Sequence, residues 1–592
     1  MNNNIKIALG QIRCITGDII GNTKRIKEQI QEAIDQKIQL LTFPETAITG
    51  YCCGALFDNL DFIKQNVDAL HNEIVPMIPE DMVCVIGYVK LHGLKSDGFP
   101  HITNCVAVIQ NKKIVGEYDK VLLANGNHHE DRKYFEPGQL YSYNSNTNSP
   151  KINGVFTVQL NGEYVKIGVP ICEDIWVNDH NIDIVSEMIK AGAEYICITN
   201  QSYFHYTKLK DRYSLLENYH YANPKVTFIY VNCIGVGDIV KNIMIFDGAS
   251  FCIGKKYIFA KQFEAGLFCD QSINPHNFDK FDQIYKALVF EQKELFDVCG
   301  LKKAQVHVSG GIDSAIVATI VSKAMGKENT ILITNPSGSN GDKLLNMVRK
   351  LSDSLEVPFY TQKMGDVIEK YTDAFMDGFK INNIENPTVI GTAHAVGRTV
   401  AGLMASNHFK TGIVATGNHT EIVEGWANFH DIGSIGVHAI LGDLTKSELF
   451  ILSDFINKKF GQDIIPKELY DNSHPDFIPP AAELPDSSVD PYDYWVTSGI
   501  DAELIRNRKS PNQIIKDFIN HTLTIDFFPN DFNNISIYDR ITVEKFSEAV
   551  KKSFWRSKIS VFKAAQGAPV VIISPRSRGF SNRETIINHW QG

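Results

Sequence analysis

The stretch AQVHVSGGIDSAIVATIVSKAMG, Ala304 to Gly326, constrains the fold of this chain more than any other. Val306 and Val308 alternate as in a strand, Ser309-Gly310-Gly311 break the pattern, and an apolar helical run begins behind Asp313 and Ser314. Two glycines allow a tight turn and close backbone approach, while Asp313 and Ser314 stand where helix-capping residues belong. Such a turn aims free N–H groups and the positive end of the helix dipole outward, which suits a phosphate or pyrophosphate. The loop lacks the lysine of G-x-x-x-x-G-K-[ST] and so differs from the ordinary P-loop. A lone Gly-Gly pair more often marks a plain turn. The strand before it and the helix behind it favour the phosphate reading.

A chain of 592 residues is too long for one core, so at least two large domains are expected. With 44% hydrophobic and 21% charged residues it has ordinary globular composition. A net charge of −10 argues against a non-specific nucleic-acid binder, so an anionic substrate must be gripped by local groups. No run approaches the length of a membrane span, and the start, MNNNIKIALGQIRC, lacks the basic and long apolar regions of a secretory leader. The eleven cysteines form no disulfide framework and no pair has zinc-ligand spacing. A reducing cytoplasm is the expected setting.

The first half alternates strands and amphipathic helices. IKIALGQI reads as a strand, and NTKRIKEQIQEAIDQ as a helix with Ile26, Ile30 and Ala33 on one face. Three residues stand at strand ends: Glu45 after LLTFP, Lys120 in EYDKVLL and Cys172 in GVPICEDIW. Singly each is weak, since a cysteine in an apolar run is more often a small core residue. As a set they make an amide-hydrolysis apparatus. A thiolate attacks the carboxamide carbon, a carboxylate relays the proton, and an ammonium stabilises the oxyanion and lowers the thiol pKa. Glu173 could take an amino group, and Ser202, Lys208 and Arg212 could meet an α-carboxylate.

GDIIGNTKRI, LLTFPETAITGY, EYDKVLLAN, KYFEPG and IGVPICEDIW, in this order, resemble the nitrilase superfamily over roughly residues 4–260. The resemblance implies an αββα sandwich with Glu45, Lys120 and Cys172 as the catalytic set. The family's second, supporting glutamate falls on Glu130 or Asp131 in NHHEDRKYF, and Glu130 is favoured. The likeness is to glutaminase members, which makes Ser202 the best of the substrate-binding group. Periodicity fails between Ala260 and Lys280, and the domains are placed at 1–265 and 266–592.

In the second half NTILITNPSGSN reads as a second parallel strand ending in Pro336-Ser337, suited to lining an adenosine pocket. GRTVAGLMASNHF reads as a helix running into a strand, GIVATGNHTEIVEGW, which carries Thr416 and Glu421. Glu421 and Asp313 could share a magnesium ion bridging ATP oxygens. Asp431 lies in FHDIG, and Lys446 opens a helix where it could meet a phosphate. SGGIDS resembles the pyrophosphate loop of ATP pyrophosphatases. YKAL, SGGIDS, NPSGSN, ATGNHTE, HDIG, LTK, PPAAEL and FKAAQGAPVVIISPRSRG follow the order seen in NAD synthetases. That resemblance implies a Rossmann-like, adenine nucleotide alpha hydrolase-like parallel sheet. It gives ATP roles to Ser309, Gly310, Gly311, Ile312, Asp313, Ser314, Thr416 and Lys446, and magnesium roles to Asp313 and Glu421. Arg398, Glu421, Asp431 and Lys563 would lie near deamido-NAD.

The whole looks like a glutamine-fed member of the NAD synthetase family. Glutamine, ATP and deamido-NAD would be its substrates, with Mg2+, no nucleic acid and no membrane. A homo-oligomer and a protected internal passage for ammonia are also expected, because ammonia is mostly ammonium near neutral pH. Two departures touch the deamido-NAD pocket. P-[ST]-A-[DE]-L reads Pro480-Ala481-Ala482-Glu483-Leu484, and of the usual A-R-x-R only Arg398 remains, with Val396 at the first arginine.

Overall fold

Two α/β units make up the chain in the computed structural model, the first comprising 1–239 and 244–278, the second 240–243 and 279–592. The structure describes residues 5–126, 128–143, 150–177, 180–336, 342–426, 430–471, 473–478, 493–525 and 536–577. Pro480–Leu484 with Ala481, and Ser337, therefore lie outside the described residues. The expected division after residue 265 falls inside the first unit. Gly266–Phe268 is a strand there, paired antiparallel with Ile7–Gln11, so backbone hydrogen bonds carry the unit past that point.

The first unit is built on two six-stranded sheets. One runs Gly266–Phe268, Ile7–Gln11, Leu40–Thr42, Val83–Leu94, Pro100–Gln110, Lys113–Asp119. The other runs Ile258–Phe259, Phe251–Ile253, Thr227–Asn232, Tyr195–Asn200, Glu163–Gly168, Val155–Leu160. Strand side chains alternate between faces, and the alternation sorts the apolar residues into two layers. Ile7, Leu9, Leu40, Val83 and Val85 pack toward Ile167, Ile196, Ile198 and Phe228 of the other sheet. Ala8, Leu41, Cys84 and Ile86 turn the other way, onto Ile26, Ile30 and Ala33 of helix Ile19–Asp35. Helices Ile184–Lys190 and Lys208–Ala222 supply Val185, Met188, Leu209 and Leu216 to the core of the second sheet. This is the αββα sandwich expected, with the predicted helix face fully buried.

The second unit holds a parallel sheet in the order Val570–Val571, His438–Ala439, Gly412–Ala415, Ala304–His307, Thr330–Thr334, Phe359–Thr361. Chain order climbs one way from Ala304–His307 and the other way from Gly412–Ala415. A crevice therefore opens between the carboxyl ends of these two neighbouring strands, the place where such sheets hold ligands. Helix Ile312–Met325 follows the first strand and is nearly all buried, so its apolar character reflects burial all round. Val496, Ile500, Ile514, Phe518, Phe546 and Val550 form a separate helical core in the same unit.

One glycine fixes the position of a candidate catalytic residue. A Cβ on Gly87 would stand 2.5 Å from Glu45 Cα, 2.6 Å from Thr46 N and 2.7 Å from Pro44 O. The strand and the Pro44–Thr46 turn are in backbone contact, Gly87 N donating to Pro44 O at 3.1 Å and Ala47 N to Gly87 O at 2.9 Å. Gly87→Ala should cost about 1–3 kcal/mol, because backbone atoms have to move to admit the methyl. A thermal melt should show a lowered midpoint, with loss of activity exceeding loss of folded protein because Glu45 is displaced.

Candidate active sites

Glu45 reaches the first site from the end of Leu40–Thr42, and Lys120 from the end of Lys113–Asp119. Glu45 Oε1 accepts from Lys120 Nζ at 2.7 Å and Asn104 Nδ2 at 2.7 Å, while Oε2 accepts from the Gln201 amide at 2.8 Å. Lys120 Nζ also donates to Asp131 Oδ2 at 2.7 Å, and the Ala124 amide donates to the same oxygen at 3.1 Å. Tyr51 donates its hydroxyl hydrogen to Asp131 Oδ1. Burial opposes the lysine charge, but Asp131 and then Glu45 outweigh it and hold Lys120 well above its usual range. Asp131 is held low: burial works against its charge and the Lys120 ammonium overrides it.

Of the two candidates for the supporting carboxylate, Asp131 and not the favoured Glu130 is the one hydrogen-bonded to Lys120. Glu130 lies one residue ahead of the short helix Asp131–Tyr134 and pairs loosely with Lys133 at 3.7 Å. One residue of register on that turn decides which carboxylate faces inward.

Cys172 opens the turn Cys172–Ile175 with φ +42°, a left-handed conformation rare for a non-glycine residue. The turn is held by Asp174. Its Oδ2 accepts from the Ile171 amide at 3.0 Å and Tyr118 Oη at 3.0 Å, and its Oδ1 from the Leu122 amide at 2.8 Å. Burial pushes the Asp174 carboxyl up to about 6. The thiol differs from expectation: burial first, then Glu45, push the Cys172 pKa well up, and Lys120 only partly offsets them. The lysine charge is already spent on two carboxylates, so the resting nucleophile is a neutral thiol.

Glu173 Oε1 meets His180 Nε2 at 3.1 Å. Ser202 is buried just past the end of strand Tyr195–Asn200, its amide donating to Asn232 Oδ1 at 3.0 Å. Lys208 Nζ lies 3.8 Å from the Trp176 ring centroid, a cation–π contact, and burial and then Arg212 lower its pKa to about 8. Arg212 does not suit the substrate role given to it. Fully buried, it donates to Asp247 Oδ1 at 2.8 Å and to the carbonyls of Ser202 at 2.8 Å and Tyr203 at 3.3 Å. It is an internal strut for the Ser202–Tyr203 backbone.

In the second unit the glycine turn ties itself together. Gly310 has φ +94°, and a Cβ there would stand 2.9 Å from Leu344 O. Ser309 Oγ accepts from the Gly311 amide at 3.2 Å, and Ser314 Oγ donates to Gly311 O at 3.0 Å. The helix begins earlier than expected, with Gly311 at its N-cap and no side-chain cap, so Asp313 and Ser314 lie in its first turn. Ile312 has a buried side chain and offers the loop only its backbone.

The expected continuous strand after Gly412 ends at Ala415, and His419–Glu424 is a helix capped by Asn418, whose side chain accepts from the Glu421 amide. Asn418 Nδ2 also donates to Asp313 Oδ1 at 2.8 Å. Lys446, the first residue of helix Lys446–Phe460, donates to Asp313 Oδ2 and lies 3.4 Å from Glu421 Oε1. The crevice therefore gathers Asp313, Glu421 and Lys446. Thr416 lies at its edge, with its amide donating to Gly433 O at 2.9 Å. Arg398 Nη2 pairs with Asp431 Oδ2 at 2.6 Å. Lys563 Nζ donates to Gly425 O at 2.6 Å, at the end of His419–Glu424. Asn104, Asp174 and Asn418 were missed in the sequence as site-building residues, while Asp131 was the alternative set second to Glu130; the N-x-x-E spacing of Asn418 and Glu421 is a helix-start signature.

Residues 6–265 match the carbon-nitrogen hydrolase family and residues 282–522 the NAD synthase family. A glutamine-dependent NAD(+) synthetase from Synechocystis is 26% identical, covering 99% of both chains. One from Thermotoga maritima is 23% identical over 99% of both. The chain belongs to the glutamine-dependent NAD(+) synthetases. A solved member of the family from Cytophaga hutchinsonii shares its fold, with a TM-score of 0.79 at 19% identity over 99% of this chain and 98% of the other. Another, from Acinetobacter baumannii in complex with ADP, gives 0.70 at 22% identity over the same shares.

If Asp131 rather than Glu130 supports the synthetase's lysine, the two carboxylates respond differently to neutralisation. Asp131→Asn should lower amide hydrolysis roughly a hundredfold by removing the carboxylate that anchors the Lys120 ammonium. Glu130→Gln should cost far less, since its ion pair is a loose 3.7 Å contact to the exposed Lys133. Steady-state rates of purified variants check the contrast.

Proposed function

We propose that the two sites work in series: the first frees ammonia from glutamine, and the second uses ATP to turn deamido-NAD into NAD. The observation carrying this reading is the pairing, in one chain, of the Glu45–Lys120–Cys172 constellation with the Asp313–Glu421–Lys446 crevice.

In the first reaction Glu45 takes the thiol proton as Cys172 attacks the glutamine carboxamide, and Lys120 stabilises the tetrahedral oxyanion. Glu45 returns the proton to the departing ammonia, then activates water to hydrolyse the glutamyl thioester. A neutral resting thiol suits this order, because the base is needed and is already oriented by the Gln201 amide and Asn104. Glu173 and Lys208 are our choices for the amino-acid end of glutamine.

In the second reaction ATP adenylates the nicotinate carboxylate of deamido-NAD with loss of pyrophosphate, and ammonia displaces AMP to give NAD. Ser309–Ser314 offer backbone N–H groups and a helix N-terminus to the phosphates. Two carboxylates facing one crevice fit a magnesium ion, which takes few protein ligands and completes its shell with phosphate oxygens and water. Asp313 and Glu421 would hold that ion, whose charge would neutralise the phosphates. Lys446, now set between the carboxylates, would turn to a phosphate. Arg398 and Asp431 are proposed for deamido-NAD, and the reading extends to a cytoplasmic homo-oligomer.

Cys172→Ala should lower glutamine-driven NAD synthesis by at least roughly a thousandfold while synthesis from added ammonium chloride persists. Equal loss of both in a folded variant would sink the division of labour. Lys208 gives a pH signature. Its pKa is depressed to about 8, so the ammonium that would hold the α-carboxylate is present below that pH and lost above it. The KM for glutamine should therefore climb above pH 8 by about tenfold per unit, and Lys208→Arg, which stays charged, should remove the break.

A further inference from the structure

His129 lies beside the buried charge group without belonging to the family's catalytic set. Its Nδ1 is 3.0 Å from Tyr51 Oη. Tyrosine has one hydroxyl hydrogen, and Tyr51 gives it to Asp131 Oδ1. The tyrosine oxygen can therefore only accept from the imidazole, which fixes His129 as the Nδ1–H tautomer with its Nε2 lone pair turned away. A continuous chain results: His129 Nδ1–H to Tyr51 oxygen, Tyr51 O–H to Asp131, and Asp131 to the Lys120 ammonium, which in turn binds Glu45.

The ring is held in place. It lies 4.9 Å from Tyr203 and edge-on to Tyr51 at 5.8 Å, and its amide donates to Gly126 O at 2.8 Å. Burial lowers its pKa to about 3, against Asp131 and together with Lys120, Lys208 and His128, so the imidazole is neutral at working pH.

We propose that His129 is a positioning residue for glutamine hydrolysis: its Nδ1–H orients the Tyr51 hydroxyl onto Asp131 and thereby fixes the Lys120 ammonium where the oxyanion forms. Donation into the tyrosine oxygen polarises the O–H toward the carboxylate, as chains of hydrogen bonds do. Without it the hydroxyl is free to rotate off Asp131, and the carboxylate loses a partner in a dry site. The effect falls on the transition state, since Lys120 meets full negative charge only there. This rests on the reading of Glu45, Lys120 and Cys172 as the glutaminase.

The test compares His129→Phe, which keeps the ring contacts, with His129→Asn, whose side-chain amide N–H replaces Nδ1–H. Glutamine hydrolysis is followed as kcat and KM separately in the full-length enzyme. His129→Phe should lower kcat roughly tenfold, the scale of one hydrogen bond, with KM within about twofold, and His129→Asn should recover most of the loss. A wild-type kcat in His129→Phe, a change in KM alone, or an Asn variant no better than Phe would each overturn the proposal. Should the Phe variant fail to fold, His129→Gln, whose longer amide misplaces the donor, takes its place against Asn. Absence of glutamine hydrolysis in the wild-type enzyme would instead overturn the parent reading.

Discussion

The first unit depends on keeping one ammonium and two carboxylates out of water together. Lys120, Glu45 and Asp131 have side chains 1%, 0% and 1% exposed. Removing Lys120 would leave two carboxylates with no cation between them, in a medium where desolvation costs several kcal/mol per ion. The neighbours follow from that constraint. Asn104, the Gln201 amide, the Ala124 amide and Tyr51 each supply a donor to a carboxylate oxygen the lysine does not satisfy alone. They come from separate strand ends and loops, so a sandwich rather than a local motif is needed to assemble them.

The second unit repeats the arrangement of a lysine between two carboxylates with a different exposure. The Asp313 and Glu421 side chains are 16% and 28% exposed, against 6% for Lys446. Here solvent reaches the carboxylates while the lysine between them stays buried, as the proposed site for a triphosphate and a cation would need. The enclosed group suits chemistry in which the same atoms are reset each turnover. The open one suits binding and release.

Much of both sites was legible as words in the sequence. Glu45, Lys120, Cys172 and the Ser309–Ser314 loop could be found because each stands where a strand ends. What stayed hidden depends on distance along the chain. Arg212 reads as a partner for an α-carboxylate, and only its contact with Asp247, 35 residues on, shows it held inside the unit. Asp131 and Glu130 differ by one position on a short turn, below what periodicity resolves. Lys563 reads as a ligand-binding cation, yet its contact is with the Gly425 carbonyl, 138 residues earlier. The αββα layering was legible because alternation in the strands and the Ile26–Ile30–Ala33 spacing state it locally. The carbon-nitrogen hydrolase match ends at residue 265, where the sequence placed the boundary, while Gly266–Phe268 still pairs with the first strand, a contact no local pattern states.

The thiol shows why the buried charges take this form. A free ammonium beside Cys172 would make a thiolate at rest, prone to oxidation and reactive toward any electrophile. Pairing Lys120 with both Glu45 and Asp131 leaves that group with net negative charge, and burial with Glu45 pushes the thiol up instead. On the proposed mechanism, attack is coupled to proton transfer onto Glu45 and waits for a carbonyl to accept the sulfur. Asp174 completes the device by holding the positive-φ turn at Cys172 to Leu122, two residues past the lysine. One buried carboxylate thus ties the Cys172 turn to the segment that carries Lys120, so the thiol and the ammonium are fixed by the same group.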